Sequence, residues 1–351
     1  MKGAIYIPKI VNLGGVERVS YLISRELNFK IITSYYRKDI EKHFPGIKKR
    51  IILLSNRKKE PGFLSILKDF FFFKSKDYFI IYRHPRTILF PLIKNEKKYL
   101  YFLGGIPHHW FMNLRDYKKI FKKLSFKILL DRILWRILIK FVDPSKTIAN
   151  SNFTSINFKK ITNNSTKYIL APPLDLKRFK KGKPKGYYLT VSRLVPYKRI
   201  DWQIDAFKGT PHKLIIIGDG PLYGEYSKKI RDLENIQIIR KIENDKHLSD
   251  IYSHCKAFIF TSFMEHFGIT PLEAMSCGKP IISVKEGGPK EYILEGKNGY
   301  FISNKKDLRK IINLLEGKSL KKMTKACLKT SKRYGTKFFL NKFKRIINNE
   351  F

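Results

Sequence analysis

Apolar and polar positions along this chain fall into two alternating rhythms. Short apolar runs at 3–7, 29–33, 50–54, 78–82 and 99–103 predict buried strands, with helical stretches between them, of which Val16 to Leu27 is periodic at helical spacing. The alternation resumes with strands at 187–191, 214–217, 235–239, 257–260 and 280–284 and a helix over 222–233. Strands that alternate with helices predict a parallel sheet wrapped by helices. Between the two series lies Lys180-Lys181-Gly182-Lys183-Pro184-Lys185-Gly186, charged and broken by Gly and Pro, which reads as a boundary. The expectation is an α/β chain with domains at 1–182 and 183–332 and a last helix over 333–351, and 351 residues accommodate both domains.

One stretch carries a different rhythm. Residues 115–142 read as a single long helix in which Lys118, Lys122, Arg132, Arg136 and Lys140 share one arc, while Ile133, Leu134, Ile137, Leu138 and Phe141 are apolar. Such a helix either packs its apolar side into the core and solvates its basic face, or lies on an anionic membrane. The aromatic run Phe70 to Phe73, beside Lys68, Lys74 and Lys76, carries the same two readings.

Composition narrows the function classes. A hydrophobic content of 43% excludes a disordered chain. The net charge is +43, spread over the whole length: residues 1–180 hold 38 basic against 12 acidic residues, and the remainder 34 against 17. A surface this basic suits nucleic acid, anionic lipid or phosphorylated substrates, or reflects a Lys-, Ile- and Asn-rich composition alone. Nucleic-acid binding has only the charge in its favour, because no zinc finger, RNA-recognition signature or helix-turn-helix pattern accompanies it. Cys255, Cys277 and Cys327 are odd in number and unpaired in spacing, which argues against a disulfide framework or a zinc site and for a reducing, cytoplasmic setting. The first residues lack a signal peptide's apolar region, and no run of 18 apolar residues exists, so the expected location is cytoplasmic or peripheral on a membrane's cytoplasmic face.

Candidate chemistry concentrates in Thr261 to Pro280, TSFMEHFGITPLEAMSCGKP. An apolar strand feeds it. Thr270 is placed as N-cap and Pro271 as the first helical residue, so that the start of the helix offers bare amides to an anion. Gly268 lets a ligand approach the backbone. Glu265 and Glu273 flank this helix start, with Glu273 in the first turn, and a carboxylate accepts charge-assisted hydrogen bonds from sugar hydroxyls. Both also fit capping boxes, Ser262 to Glu265 and Thr270 to Glu273.

The string E-H-F-G-I-T-P-L-E-A-M, with C-G-K-P-I-I and G-G-P-K-E after it, resembles the family 4 retaining glycosyltransferases of the GT-B fold. The resemblance implies two Rossmann-like, doubly wound domains facing a central cleft, with the last helix returning to the first domain. It implies that Glu265 contacts the donor sugar and Glu273 the ribose. Ser192-Arg193-Leu194-Val195-Pro196-Tyr197-Lys198 matches the family's S-R-L-x-x-x-K, which makes Arg193 and Lys198 the diphosphate ligands. Two fixed cations can neutralise charge that grows on a departing diphosphate, in place of a divalent metal. The chain has no Asp-x-Asp, so neither metal nor cofactor is expected.

Further segments extend the resemblance. Gly14-Gly15-Val16-Glu17-Arg18 matches a G-G-x-E-R loop at the cleft, and Gly218-Asp219-Gly220-Pro221 a G-x-G-P turn. Asn150-Ser151-Asn152-Phe153 and Pro172-Pro173-Leu174-Asp175 match two more. Lys241 and Ile242 stand where the family has a glycine near the nucleobase. His108 and His109 stand near the family's H-x-P segment in altered order, and either could face the sugar; no acidic partner stands at a useful spacing for a metal. With His266, Phe267 and Ile269 the expected donor-binding set is complete. The E-H-F-G form resembles mannosyltransferases that extend lipid-linked oligosaccharides. That implies GDP-mannose, with UDP-sugars as the second choice, and a glycan or lipid-linked acceptor. The alternatives are a basic nucleic-acid-binding protein or an epimerase on the same fold.

Overall fold

The structure is a computed structural model that describes residues 3–11, 14–55, 59–62, 65–66, 68–69, 79–82, 98–122, 124–240, 242, 244–317 and 319–348. The chain forms two compact units, Met1–Met112 with Ser125–Pro173 and Lys337–Phe351, and Asn113–Leu124 with Leu174–Thr336. The break falls at 173/174, where the sequence pattern placed it at 182/183. Leu174 explains part of this: it is buried, and its amide donates to the Tyr334 carbonyl at 2.8 Å, which ties the start of the linker into the second unit.

The first unit is built on seven strands: β1 (Gly3–Tyr6), β2 (Lys30–Thr33), β3 (Ile51–Leu53), β4 (Phe79–Tyr82), β5 (Lys98–Phe102), β6 (Thr147–Ala149) and β7 (Tyr168–Ile169). Their order is β3-β2-β1-β4-β5-β6-β7 and every pairing is parallel. Ala4, Tyr6, Ile32, Leu100 and Phe102 join the buried core with Trp110 and Trp135, whose rings stack at 5.0 Å. The helix Thr336–Ile347 contributes Phe343, fully buried, with its ring 6.2 Å from Phe29.

The second unit has six strands: β8 (Tyr187–Val191), β9 (Lys213–Ile217), β10 (Ile236–Ile239), β11 (Cys255–Phe260), β12 (Ile281–Val284) and β13 (Gly299–Ile302). They run parallel in the order β10-β9-β8-β11-β12-β13. Sheets covered by helices on both faces read as continuous apolar runs, as Ile281–Val284 does with all four residues buried. Tyr188, Ile216, Ile259 and Ile282 pack in one core with Ile204 and Phe207 of the helix Ile200–Phe207 and with Leu308 and Ile312 of the helix Lys305–Glu316. Burial of each such side chain is worth about 1.5–3 kcal/mol.

The single helix expected over 115–142 is instead two helices and a 3-10 turn: Leu114–Phe121, Phe126–Leu138 and Ile139–Phe141. Lys122 takes a left-handed conformation (φ 50°) that ends the first, and Ser125 is extended before the second. Asn113 begins the first by accepting from the Asp116 amide at 2.8 Å. Lys118 therefore lies in the second unit and Arg132 and Arg136 in the first, and the five cations do not share one arc. Nor does most of the apolar side enter the core, although Leu138 packs against it. Phe126 is 79% and Phe141 70% exposed, Leu130, Ile133, Leu134 and Ile137 are exposed between them, and the same helix buries Trp135. Phe70 to Phe73, Lys74 and Lys76 lie outside the described residues. The helix expected over 222–233 is shorter, Tyr223–Lys229.

Candidate functional site

In the second sheet the strand order reverses between β8 and β11, so the loops that leave their carboxyl ends diverge and open a crevice. Ser192–Arg199 follows β8, Gly218–Pro221 follows β9, and Thr261–Gly268 follows β11. A cavity of about 650 Å³ lies at these strand ends, lined by Ser192, Arg193, Gly218, Asp219, Gly220, Arg240 and Thr270, among others. Five residues named from three separate sequence segments, Arg193, Gly218, Asp219, Gly220 and Thr270, thus meet in one hollow.

Buried hydrogen bonds shape the loop after β8. Thr190 of β8 donates to the Gln203 side-chain oxygen at 2.5 Å, and the Gln203 amide donates to Thr261 at 2.8 Å. Thr261 in turn donates to the carbonyls of Lys198 (2.7 Å) and Arg199 (3.0 Å). The backbone of the cationic turn is thereby fastened to the end of β11. Arg199 is left-handed (φ 51°), pairs with Glu286 at 3.2 Å and lies over the rings of Trp202 and Phe263. Arg193 is exposed, donates to the Tyr197 hydroxyl at 2.7 Å and has no carboxylate partner among the described residues. Lys198 is ion-paired with Glu265, and its ammonium lies over the Phe260 ring.

Glu265 is 24% exposed at its side chain and also accepts from the Ser262 hydroxyl at 3.0 Å. Burial alone would raise its pKa; the Lys198 ammonium, with help from His266 and Ser262, outweighs this and holds the carboxyl at about 2. The Ser262 to Glu265 pair is thus a side-chain contact and not a helix cap.

The helix after this loop starts two residues earlier than expected. It spans Ile269–Ser276, and its N-cap is Gly268, not Thr270. Gly268 has φ 81°, which favours glycine, and a Cβ there would come within 2.8 Å of the Tyr292 hydroxyl. Thr270 and Pro271 become the second and third helical residues, and no side chain caps the helix start. Glu273 accordingly sits in the second turn. It is buried, accepts from the Tyr252 hydroxyl at 2.8 Å, and faces Arg178 at 3.7 Å. His266 and Phe267, which follow Glu265 in sequence, are buried.

The other expected site residues lie elsewhere. Gly14 and Gly15 open the helix Gly15–Leu27 in the first unit, Gly14 being its N-cap. His108 and His109 lie in the same unit on the short helix His108–Phe111. His109 is buried, and its Nε2 is 2.6 Å from an Asp131 carboxylate oxygen that also accepts from Trp110 at 3.0 Å. An acidic partner therefore exists, 22 residues along the chain and invisible to local spacing. His108 is half-buried with its ring near Phe111. Lys241 lies outside the described residues, and Ile242 is half-buried after β10. Among the described residues no group of three His, Cys, Asp or Glu could hold a metal ion.

Sequence reasoning missed several members. Arg240 lines the cavity and pairs with Asp219 at 3.0 Å; its charge-assisted bond lowers the Asp219 pKa. Tyr252 and Arg178 hold Glu273, and Gln203, through Thr261 at the head of the stretch already singled out, holds the Lys198 turn. None stands in a local motif of its own. Only the topology of the sheet brings them to these strand ends.

The chain is similar to known proteins. Residues 174–333 match the family described as Glycosyl transferases group 1. The alpha-1,3/1,6-mannosyltransferase ALG2 of Dictyostelium discoideum is 28% identical over 234 residues, covering 51% of this chain and 55% of the relative. The glycosyltransferase MJ1178 of Methanocaldococcus jannaschii is 31% identical over 142 residues, 39% of this chain and 40% of its own. The chain thus spans about half the length of the curated relatives it matches. Among solved structures, Anabaena HepE in complex with UDP superposes with a TM-score of 0.77 at 18% identity, over 99% of this chain and 100% of that one. Residues 174–333 thus carry the match to the group 1 glycosyl transferases, and with two parallel doubly wound sheets the chain has the GT-B fold.

Proposed function

We propose that the chain transfers a hexose, with retention of configuration, from a nucleotide diphosphate sugar to a glycan or lipid-linked acceptor. The observation that carries this reading is the cavity at the ends of β8 and β9, where the Arg193 charge, the glycine turn and the start of the helix Ile269–Ser276 converge. Arg193 and the amides of Ile269 and Thr270 bind the diphosphate, and Lys198 neutralises the charge that develops as the glycosidic bond breaks. These fixed cations supply what a divalent metal supplies elsewhere, so transfer needs no added metal. Glu265 orients the donor sugar and Glu273 accepts from the ribose hydroxyls. No protein nucleophile is required: the leaving phosphate takes the acceptor's proton, in place of the two-carboxylate scheme of glycosidases.

Mannose is the favoured sugar and GDP the favoured nucleotide. Support comes from the E-H-F-G string and from two relatives named as alpha-1,3/1,6-mannosyltransferases. Anabaena HepE, which shares the fold, was solved with UDP, and this keeps UDP-sugars as the second choice. The exposed apolar residues of Phe126–Leu138, flanked by Lys127, Arg136 and Lys140, support docking on an anionic membrane at its cytoplasmic face. No described helix is long and apolar enough to cross a membrane.

Thermal-shift titration with GDP, UDP and ADP, each with and without its sugar, is the test. One nucleotide should raise the melting temperature in proportion to the logarithm of its concentration, and the matching sugar nucleotide should be consumed in the presence of EDTA. A flat response to all three would end the proposal.

A further inference from the structure

A second cavity, of about 700 Å³, lies at the opposite edge of the same sheet, where β11 and β12 begin. It shares no residue with the hollow at the strand ends. Lys181, Lys183, Lys256, Lys279, Lys321 and Lys325 line it, and no carboxylate does. Of the six, only Lys256 is ion-paired among the described residues, with Glu316 at 2.6 Å. Lys279 is 3% exposed, and its ammonium makes one hydrogen bond, to the Gly182 carbonyl at 2.9 Å, which leaves two donors for another partner. Burial pulls its pKa below the usual lysine value, and the Lys181 charge adds to the effect. A desolvated cation among like charges is costly unless a counter-charge joins it. The helix Lys321–Lys332 points its start at the same place: Lys321 and Thr324 line the cavity, and no side chain caps the first turn.

We propose that this lysine-lined cavity is a second anion site, separate from the donor site, that takes a soluble phosphate-bearing small molecule. Ammonium groups act as point charges and bare amides complete the shell that phosphate oxygens need. Pro184, Pro280, Leu320 and Leu328 give the cavity apolar walls for the rest of the molecule. A lipid surface does not suit it: the cavity is concave, and none of the large exposed apolar side chains lines it.

Calorimetric titration of the full chain with inorganic pyrophosphate tests this. Wild type should show two sites. Lys321→Ala/Lys325→Ala changes two exposed side chains and should weaken one site about tenfold or more while the other persists. Arg193→Ala should remove the persisting one. Lys329→Ala/Lys332→Ala removes equal charge from the same helix outside the cavity and should bind as wild type does. A single site lost in Arg193→Ala alone, or equal weakening in the two lysine pairs, would overturn the proposal.

Discussion

Lys198 and Glu265 show what one ion pair can do for a site. The pair is mostly buried, so each charge fixes the other in place and neither is screened by bulk water. A diphosphate that gains charge as its bond to the sugar breaks would draw on Lys198, while Glu265 keeps the ammonium aimed. Lys198→Ala should therefore cut turnover by more than about 100-fold, with nucleotide affinity changed far less, as for loss of a charge-stabilising donor. Steady-state rates beside nucleotide titration decide it, and near-normal transfer refutes the role. The pair also has a pH signature. The Glu265 carboxyl is held at about 2 in the folded chain, against roughly 4.3 for an unfolded glutamate. Its contribution is then complete above about pH 5 and lost as pH falls toward 2, a loss of roughly 3 kcal/mol. In urea melts the stability gap between wild type and Glu265→Gln should close across that window. A gap that stays constant would show that Lys198 does not hold the carboxylate ionised. Both residues were legible in the sequence because they stand in long motif strings. Tyr252, Arg178 and Arg240 were not, since each meets its partner only through the fold.

At the scale of elements, the strands were readable and the helix starts were not. Ile281–Val284 and Cys255–Phe260 announce themselves because both faces of a parallel sheet are covered, so nearly every position is apolar. β7 and β13 went unseen, and β7, with two residues, is too short to stand out. The helix start at Gly268 was misplaced because Thr-Pro mimics a cap signal, whereas the backbone turns at the glycine before it. The broken stretch at Lys122 failed for a related reason, as periodicity persists across a left-handed residue that it does not register. Close backbone approach sets the position of the Glu265 loop in the same hidden way. Gly287 has φ 73°, and a Cβ there would overlap the Glu265 carbonyl oxygen. The Gly288 amide donates to that same carbonyl at 2.7 Å. Gly287→Ala should destabilise the fold by about 1–3 kcal/mol and displace the loop, so that transfer falls by more than the stability loss explains. Denaturant melts and rates measured on the same preparation separate the two effects; unchanged transfer would mean that the loop tolerates the shift.

Charge belongs to the whole molecule, and its meaning depends on what accompanies it. A net +43 attracts any polyanion at long range, and that attraction fades once salt shortens the Debye length to about 8 Å at physiological strength. Charge alone therefore predicts binding to DNA and to anionic vesicles alike, with both lost together as salt rises. The helix Phe126–Leu138 breaks this symmetry. Its exposed Phe126, Leu130, Ile133 and Ile137 have no polar partner to prefer and gain free energy only by leaving water, which a bilayer permits and a DNA duplex does not. Vesicle binding should then have two parts: a salt-sensitive capture and a salt-resistant remainder from apolar insertion. Ile133→Glu/Ile137→Glu alters side chains already in solvent, so folding should be spared while the remainder disappears. Co-sedimentation with phosphatidylglycerol vesicles at about 50 and 500 mM salt, roughly 14 Å and 4 Å of screening, reads both parts, and a DNA duplex serves as the comparison. Vesicle binding that falls to zero in step with DNA binding would leave the exposed face without a role and return the charge to an unspecific attraction.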